Sequence, residues 1–326
     1  MKAIGGYFEL ADRTSVERPL PIQGVELNTC RNALEYIILS LPDVRRIFLP
    51  YFTCEAVIEP LKRLSVSYVF YHIDDSFEIA DDIALDDGDY LIANNYFGLK
   101  DSYIAELAKC YGQRLIVDNA QAFFAPVMPG VKAAYSCRKY IGVADGGIAV
   151  GVVSDLASHF DCEDTEGHND HLLIRKEHGA EAGFRNYQAN EEKLDNQPIR
   201  LMSESTRDIL THVDYAEVVA RRRSNFECLH KALGSRNQLP IPSMDSFCCP
   251  MVYPYWTDDD KLRRHLISNK VYVATYWPNV LENCLENELE YIFAKFVIPI
   301  PCDQRYNAED MKRIIDVIGN CKRTEA

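Results

Sequence analysis

The sequence predicts an α/β fold: a mostly parallel sheet flanked by helices, followed by a smaller α/β unit. Three observations carry that expectation. Short apolar, β-rich runs alternate with helix-like stretches up to Val153, a polar and acidic segment then interrupts them, and a strand–helix pattern resumes near Pro250. Strands separated by helical stretches are the mark of βαβ units. A chain of 326 residues is also long for one core, so a second packed unit is expected.

In chain order, an amphipathic helix is expected over Arg31–Leu41, then a strand over Arg46–Pro50 and a helix over Glu55–Leu64. Strands follow at Ser67–Ile73 and Tyr90–Asn94, a helix at Ser102–Tyr111, and strands at Arg114–Val117, Ala133–Ser136 and Gly147–Val153. Residues 161–200 contain no strand-like run and read as surface helix and loop. Ile209, Val213, Ala216 and Ala220 then recur at helical spacing, which predicts one long helix within Glu204–Leu233. The remainder reads as a strand near Pro250–Pro254, a helix over Asp258–Ser268, strands at Val271–Tyr276 and Lys295–Ile300, and a last helix over Ala308–Gly319. The expected division is a large domain over 1–203 and a connecting helix with a small C-terminal domain over 204–326.

Lys and Arg number 35 against 49 Asp and Glu, a formal charge of −14. That balance argues against nucleic acid or an anionic membrane as the main partner, because both need clustered cations. A small anionic ligand needs only a local site. The first residues show no continuous apolar stretch before Glu9, so neither a signal peptide nor a membrane span is expected. Eleven cysteines are scattered without a CxxC pair, which reads as reduced thiols and a cytoplasmic protein.

In open parallel sheets, ligands bind beyond the carboxyl ends of the strands, and two segments place chemistry there. Arg114-Leu115-Ile116-Val117-Asp118 ends an apolar strand in a carboxylate, which seen alone would be a capping residue. Tyr135-Ser136-Cys137-Arg138-Lys139 follows the next strand and leads, through small and apolar residues, to Asp145-Gly146-Gly147. A lysine so enclosed is expected to have a lowered pKa, which suits attack on a carbonyl. A third segment, Asn28-Thr29-Cys30-Arg31, opens a helix whose free N–H groups could take an anion. An amine, a carboxylate and a helix terminus are together what pyridoxal 5′-phosphate (PLP) requires.

These segments resemble the DegT/StrS-type sugar aminotransferases, a group of fold-type I PLP enzymes. Asp118-Asn119-Ala120-Gln121-Ala122 is similar to the family's Asp-Ala-Ala-Gln/His-Ala signature, and Lys139 with Asp145-Gly146-Gly147 to its Lys-x5-Glu/Asp-Gly-Gly. Thr29–Leu34 resembles the phosphate loop, Leu49–Thr53 the Pro-x-Phe-Thr segment, and Arg200–Leu210 the Arg-Met-Ser/Asn segment. The resemblance implies Lys139 as covalent anchor and proton carrier, Asp118 on the pyridine nitrogen and Gln121 on the ring hydroxyl. It further implies Ser136, Cys30 and Arg31 at the phosphate and Phe52 beside the ring. The activity implied is transfer of an amino group from an amino acid, with glutamate expected, to a keto sugar. That sugar is expected to be nucleotide-linked, in cell-surface polysaccharide or deoxyamino-sugar biosynthesis. A homodimer with a shared site is implied as well, with Arg175, Arg185 or Asn186 as candidate donors from the partner chain.

The chain departs from the pattern where Cys30 replaces a glycine, where Ser136 lies three rather than five residues before the lysine, and where Cys54 takes an aromatic's place. These departures support the alternative, a PLP-fold binding or regulatory protein with little turnover. His168 and His171, with Glu163, Asp164 and Glu166 nearby, lack the HExxH pattern and read as a solvated loop rather than a metal site. Arg221–Arg223 reads as a solvated or salt-bridged helix face. Tyr276-Trp277 and Asp303–Tyr306 each follow a predicted strand and are candidates to reach the cleft.

Overall fold

The computed structural model describes residues 2–153, 155–165 and 168–321. Two short strands, β1 (Ile4–Gly5) and β2 (Val25–Leu27), precede the expected alternation. That alternation runs α1 (Cys30–Leu39), β3 (Arg46–Pro50), α2 (Glu55–Arg63), β4 (Ser67–Tyr71), β5 (Asp89–Asn94) and α3 (Asp101–Tyr111). It closes with β6 (Leu115–Asn119), β7 (Lys132–Ser136) and β8 (Gly147–Val150). Seven strands form one sheet in the order β2-β8-β7-β6-β5-β3-β4. Neighbours from β4 to β7 are parallel, whereas β8 is antiparallel to both β7 and β2.

The period of two in a strand explains why this sheet is buried on both faces. Leu91 and Ala93 of β5, Leu115 and Val117 of β6, and Ala133 and Tyr135 of β7 enter one core. Tyr90, Ile92, Ile116 and Ala134, the residues between, enter the other, against Leu34, Ile37 and Ile38 of α1 and Val57, Ile58 and Leu61 of α2. Continuous apolar runs follow from that double burial.

After the sheet come α4 (Asp170–His178) and α5 (Phe184–Glu192), then α6 (Glu204–Leu210) and α7 (Tyr215–Leu233). The single long helix expected over 204–233 is therefore two. Asp214 breaks it, because its side chain accepts the Glu217 N–H at 3.1 Å and caps a new helix start. In the Arg221–Arg223 run only Arg221 lies on a salt-bridged, exposed face, paired with Glu217 at 3.0 Å. Arg222 is fully buried over the Tyr140 ring and donates to the carbonyls of Pro250 and Met251, while Arg223 donates to those of Phe247, Cys248 and Met244.

The rest comprises β9 (Val252–Trp256), α8 (Leu262–Ser268), β10 (Val271–Tyr272), α9 (Pro278–Asn283), α10 (Leu289–Phe296), β11 (Val297–Pro301) and α11 (Ala308–Cys321). β9 pairs antiparallel with β11, and β10 pairs in parallel with β1. The strand expected over Val271–Tyr276 stops at Tyr272 because its partner, β1, is only two residues long. This pairing ties the start of the chain to its C-terminal part, across the division expected at residue 203. Among the described residues no helix is long and apolar enough to cross a membrane, and no disulfide joins any of the eleven cysteines.

Candidate active site

The sheet brings Asp118 and Lys139 together at the carboxyl ends of the adjacent strands β6 and β7. Asp118 ends a run buried at Leu115, Ile116 and Val117. One carboxylate oxygen accepts the Ala120 N–H at 2.8 Å, turning the chain sharply out of the strand. The other takes no protein donor among the described residues. Burial, eased only partly by that hydrogen bond and by Lys139, pushes the carboxyl up to about 6.

Lys139 lies between two fully buried residues, Cys137 and Tyr140. The Cys137 carbonyl accepts the N–H groups of Tyr140 and Ile141 at 3.1 and 2.9 Å, and the Tyr140 hydroxyl donates to the Gln121 carbonyl at 2.8 Å. With Cys137 and Tyr140 held inside, the Lys139 side chain is left to the cleft, where it is exposed to water yet walled by protein. Burial alone would lower its pKa, as expected from the sequence. Glu191, Tyr187 and Tyr276 outweigh burial, so the amine is held above the ordinary lysine value. That corrects the expectation of a lowered value for the cofactor-free chain.

The thiols of Cys30 and Cys54 lie within electrostatic reach of both Asp118 and Lys139, and burial pushes both upward. Cys30 begins α1, whose cap is Thr29: its hydroxyl oxygen accepts the Asn32 N–H at 3.0 Å. The N–H groups of Cys30 and Arg31 take no protein acceptor among the described residues. They remain free for an anion, which the helix dipole also favours. Gly147 allows this approach, since a Cβ there would stand 2.2 Å from the Thr29 carbonyl and 2.5 Å from the Cys30 nitrogen. A Gly147→Ala protein is expected to lose about 1–3 kcal/mol of stability, read as a lower midpoint of thermal unfolding, because backbone rather than a flexible side chain must move.

Other expected residues are placed differently. Phe52 is fully buried among Phe77, Tyr96, Trp277 and Phe293, so its ring offers no face to a cofactor. Beyond β3 the chain bends at residues 51–53, and Cys54, at the head of α2, comes within electrostatic reach of Asp118 and Lys139 instead. The Arg31 guanidinium pairs with Glu59 and Asp195, leaving only its backbone for a phosphate. Ser136 is buried opposite Gly147. The Gln121 Oε1 accepts the Phe97 N–H at 2.8 Å, which turns the amide nitrogen into the available end. Asp145 is buried and accepts from Ser203 N and Oγ at 2.8 and 2.7 Å and from Thr206 Oγ1, pinning the start of α6 to the lysine loop.

Lys139 also faces a cavity of about 670 Å³, lined further by Tyr7, Tyr187, Glu191, Tyr276 and Arg305. Both C-terminal candidates thus reach the cleft: Tyr276 walls the cavity beside Lys139, and Asp303 and Arg305 line it as well. The polar 161–200 segment is not a loose surface flap, because α4 and α5 form one wall of the same chain's cavity. Arg175 donates to Glu9 and to the Gly5 carbonyl, Asn186 donates to Asp170, and Arg185 is exposed. His171 is buried against Tyr7 and Tyr187, with burial and Arg138 lowering its pKa to about 4, so it is a neutral packing residue and not part of a solvated loop. Glu166 lies outside the described residues. Among the described residues no three His, Cys, Asp or Glu side chains gather as a metal site. Tyr7, Tyr187 and Glu191 escape sequence reading because no motif or periodicity links them to Lys139.

No protein-family model matches the chain, and no characterised protein sequence matches it. Solved structures do. TlmJ, an aminotransferase from Streptoalloteichus hindustanus, superposes with a TM-score of 0.63 at 18% identity over 93% of this chain and 87% of its own. A DegT DnrJ EryC1 StrS aminotransferase from Brucella abortus gives 0.59 at 14% identity over 92% and 86%. Spr1654 from Streptococcus pneumoniae, solved in a PLP form, gives 0.64 at 14% identity over 96% and 92%. The chain has the fold of these proteins, a mixed α/β fold around a mostly parallel sheet, as its sequence predicts.

Proposed function

We propose that the chain is a PLP-dependent aminotransferase that moves an amino group from an amino acid, with glutamate the expected donor, to a nucleotide-linked keto sugar. The observation that carries this reading is the convergence of Lys139 and Asp118 at neighbouring strand ends beside a ligand-sized cavity. The residues fit PLP by their chemistry. Asp118 keeps one carboxylate oxygen free for a protonated ring nitrogen, the free N–H groups opening α1 suit a phosphate, and Lys139 supplies the amine. Bound there, PLP would act as an electron sink for the substrate carbon that carries the amino group.

The chain's own residues would then divide the work. Lys139 holds the group covalently at rest and, once released by an incoming amine, takes the proton from that carbon and returns it as general base and acid. Asp118 keeps the ring nitrogen protonated. The Gln121 amide nitrogen would donate to the ring hydroxyl. Tyr7, Tyr187 and Tyr276 exclude water and offer flat walls to a sugar or base. Solved relatives in fold that are described as aminotransferases support the reading, and the PLP form of Spr1654 supports the cofactor. The natural setting proposed is cell-surface polysaccharide or deoxyamino-sugar biosynthesis in the cytoplasm, with the large domain over 1–203 and the smaller over 204–326.

The test is spectroscopic and then chemical. PLP added to the purified protein is expected to give a visible band fixed to Lys139 by borohydride, and a thermal-shift screen of sugar nucleotides then seeks the acceptor. PLP bound without amino transfer would favour the binding or regulatory reading, to which the buried Phe52 and engaged Arg31 side chains lend support.

A homodimer is part of the proposal. Phe184 and Ile267 stand 49% and 43% exposed at the cavity lining, where a second chain would cover them. Sedimentation at working concentration is expected to show two chains. A PLP-loaded, fully active monomer would show that one chain completes the site.

A further inference from the structure

The return of the chain over its own strand ends places α5 against the loop that carries Lys139. α5 is held on several sides. The Tyr187 ring stacks on Tyr7 with centroids 4.7 Å apart. Asn190 Nδ2 donates to Asp170 Oδ1 at 2.7 Å, and Asn186 Nδ2 donates to Asp170 Oδ2 at 2.6 Å. Beyond the helix, Arg31 donates to the Leu194 carbonyl and Asn32 to the Gln197 carbonyl, each at 3.0 Å. So seated, α5 presents Tyr187 and Glu191, four residues apart and therefore on one face, to the cavity that Lys139 also lines. Glu191 forms an ion pair with Arg138, the residue immediately before Lys139.

We propose that Glu191 is a positioning residue for Lys139: locked to Arg138, it orients the Lys139 amine in the cleft and favours the ammonium form, which must give its proton to water before the amine attacks a carbonyl. The inference rests on Lys139 as the reactive amine of the proposed function. An ion pair on the preceding residue restrains the backbone from which the lysine springs, and the half-buried Glu191 carboxylate supplies the countercharge the amine lacks in its own contacts.

The groups facing that amine come from every neighbouring element. Asp118 stands at the end of β6, Cys30 on α1, Cys54 at the head of α2, Tyr276 before α9, and Tyr187 and Glu191 on α5. Arg138 opposes the amine's charge, and neutral His171 of α4 adds none. Burial of Glu191 would raise its pKa, but Arg138 and Lys139 hold it below the ordinary value, so it stays ionised. Of the groups named, Glu191 does most to oppose the effect of burial on Lys139.

The test uses cofactor-free protein and acetic anhydride as the amine probe, with labelling of Lys139 followed by mass spectrometry across pH. Glu191→Gln is expected to move the labelling midpoint to lower pH and to speed labelling at neutral pH at least about threefold. Glu191→Asp is expected to fall between that variant and the parent. Glu192→Gln, at an exposed neighbour, is expected to match the parent. An unchanged midpoint in folded Glu191→Gln overturns the proposal. Should that variant not fold, an unchanged midpoint in Glu191→Asp overturns it instead. Borohydride trapping of PLP on the parent separates the two readings: a shifted midpoint without PLP trapping would remove the cofactor and keep the role of Glu191.

Discussion

A Lys139→Ala protein is expected to fold normally, to retain no PLP that borohydride can fix, and to lose at least about 10⁴-fold in amino transfer. The fold should survive because the Lys139 side chain points into the cleft, while its buried neighbours Cys137 and Tyr140 hold the loop. The activity should not, because among the described residues no other lysine lines the cavity. The cavity's other cations are arginines: Arg175 and Arg305 are tied to Glu9, Arg138 to Glu191, and Arg222 is buried on Tyr140. Absorbance after PLP addition and mass spectrometry after reduction check it together. A visible band that persists unchanged in the variant would place the anchor elsewhere.

Asp118→Asn is expected to keep PLP but slow turnover by about 100-fold or more. An amide cannot balance a protonated ring nitrogen, and breaking a buried charge pair costs about 3–5 kcal/mol, with each 1.4 kcal/mol worth tenfold in rate. The same variant should change the cofactor-free protein in the opposite direction. Burial raises the Asp118 carboxyl to about 6 from an ordinary 3.8. The stability that goes with its neutral form is therefore full below pH 4 and lost as pH rises through about 6. An asparagine has no charge to bury. Cofactor-free Asp118→Asn should be more stable than the parent at pH 8, by on the order of 1–2 kcal/mol once water in the cleft is allowed for, and equal to it near pH 4. Thermal unfolding at the two pH values checks this. Equal midpoints at pH 8 would mean that the carboxylate is solvated and the site is not poised for a cation.

Much of the large domain was legible residue by residue because each element there carries its own signal. β3 spans Arg46–Pro50 as expected, and β5, β6 and β7 begin or end within a residue or two of their expected bounds. Apolar runs buried on both faces and polar residues at helix starts are local properties. Asp118 and Lys139 were legible for the same reason, since a charged residue ending an apolar strand is visible without knowing its neighbours in space. The Asp214 cap that splits the expected long helix into α6 and α7 is a local feature too, but the expectation, built on apolar spacing alone, ran across it.

What the sequence alone determined is thus the α/β class, most strands of the sheet, and the pairing of an amine and a carboxylate at strand ends. Tertiary structure decided the rest. Phe52 reads as a residue beside a cofactor but turns into an aromatic core, because Phe77, Tyr96, Trp277 and Phe293 converge on it from distant segments, and Cys54 comes near Asp118 and Lys139 instead. Arg222 reads as part of a solvated face but is buried on Tyr140, because α7 packs against chain that follows it by about thirty residues. Glu191, Tyr187 and Tyr7 carry no signal in the sequence at all. Their meeting at Lys139 depends on α5 folding back over the sheet and on β1 pairing with β10, contacts between segments far apart in the chain. Such contacts form only when the chain closes on itself, so no spacing along the sequence records them.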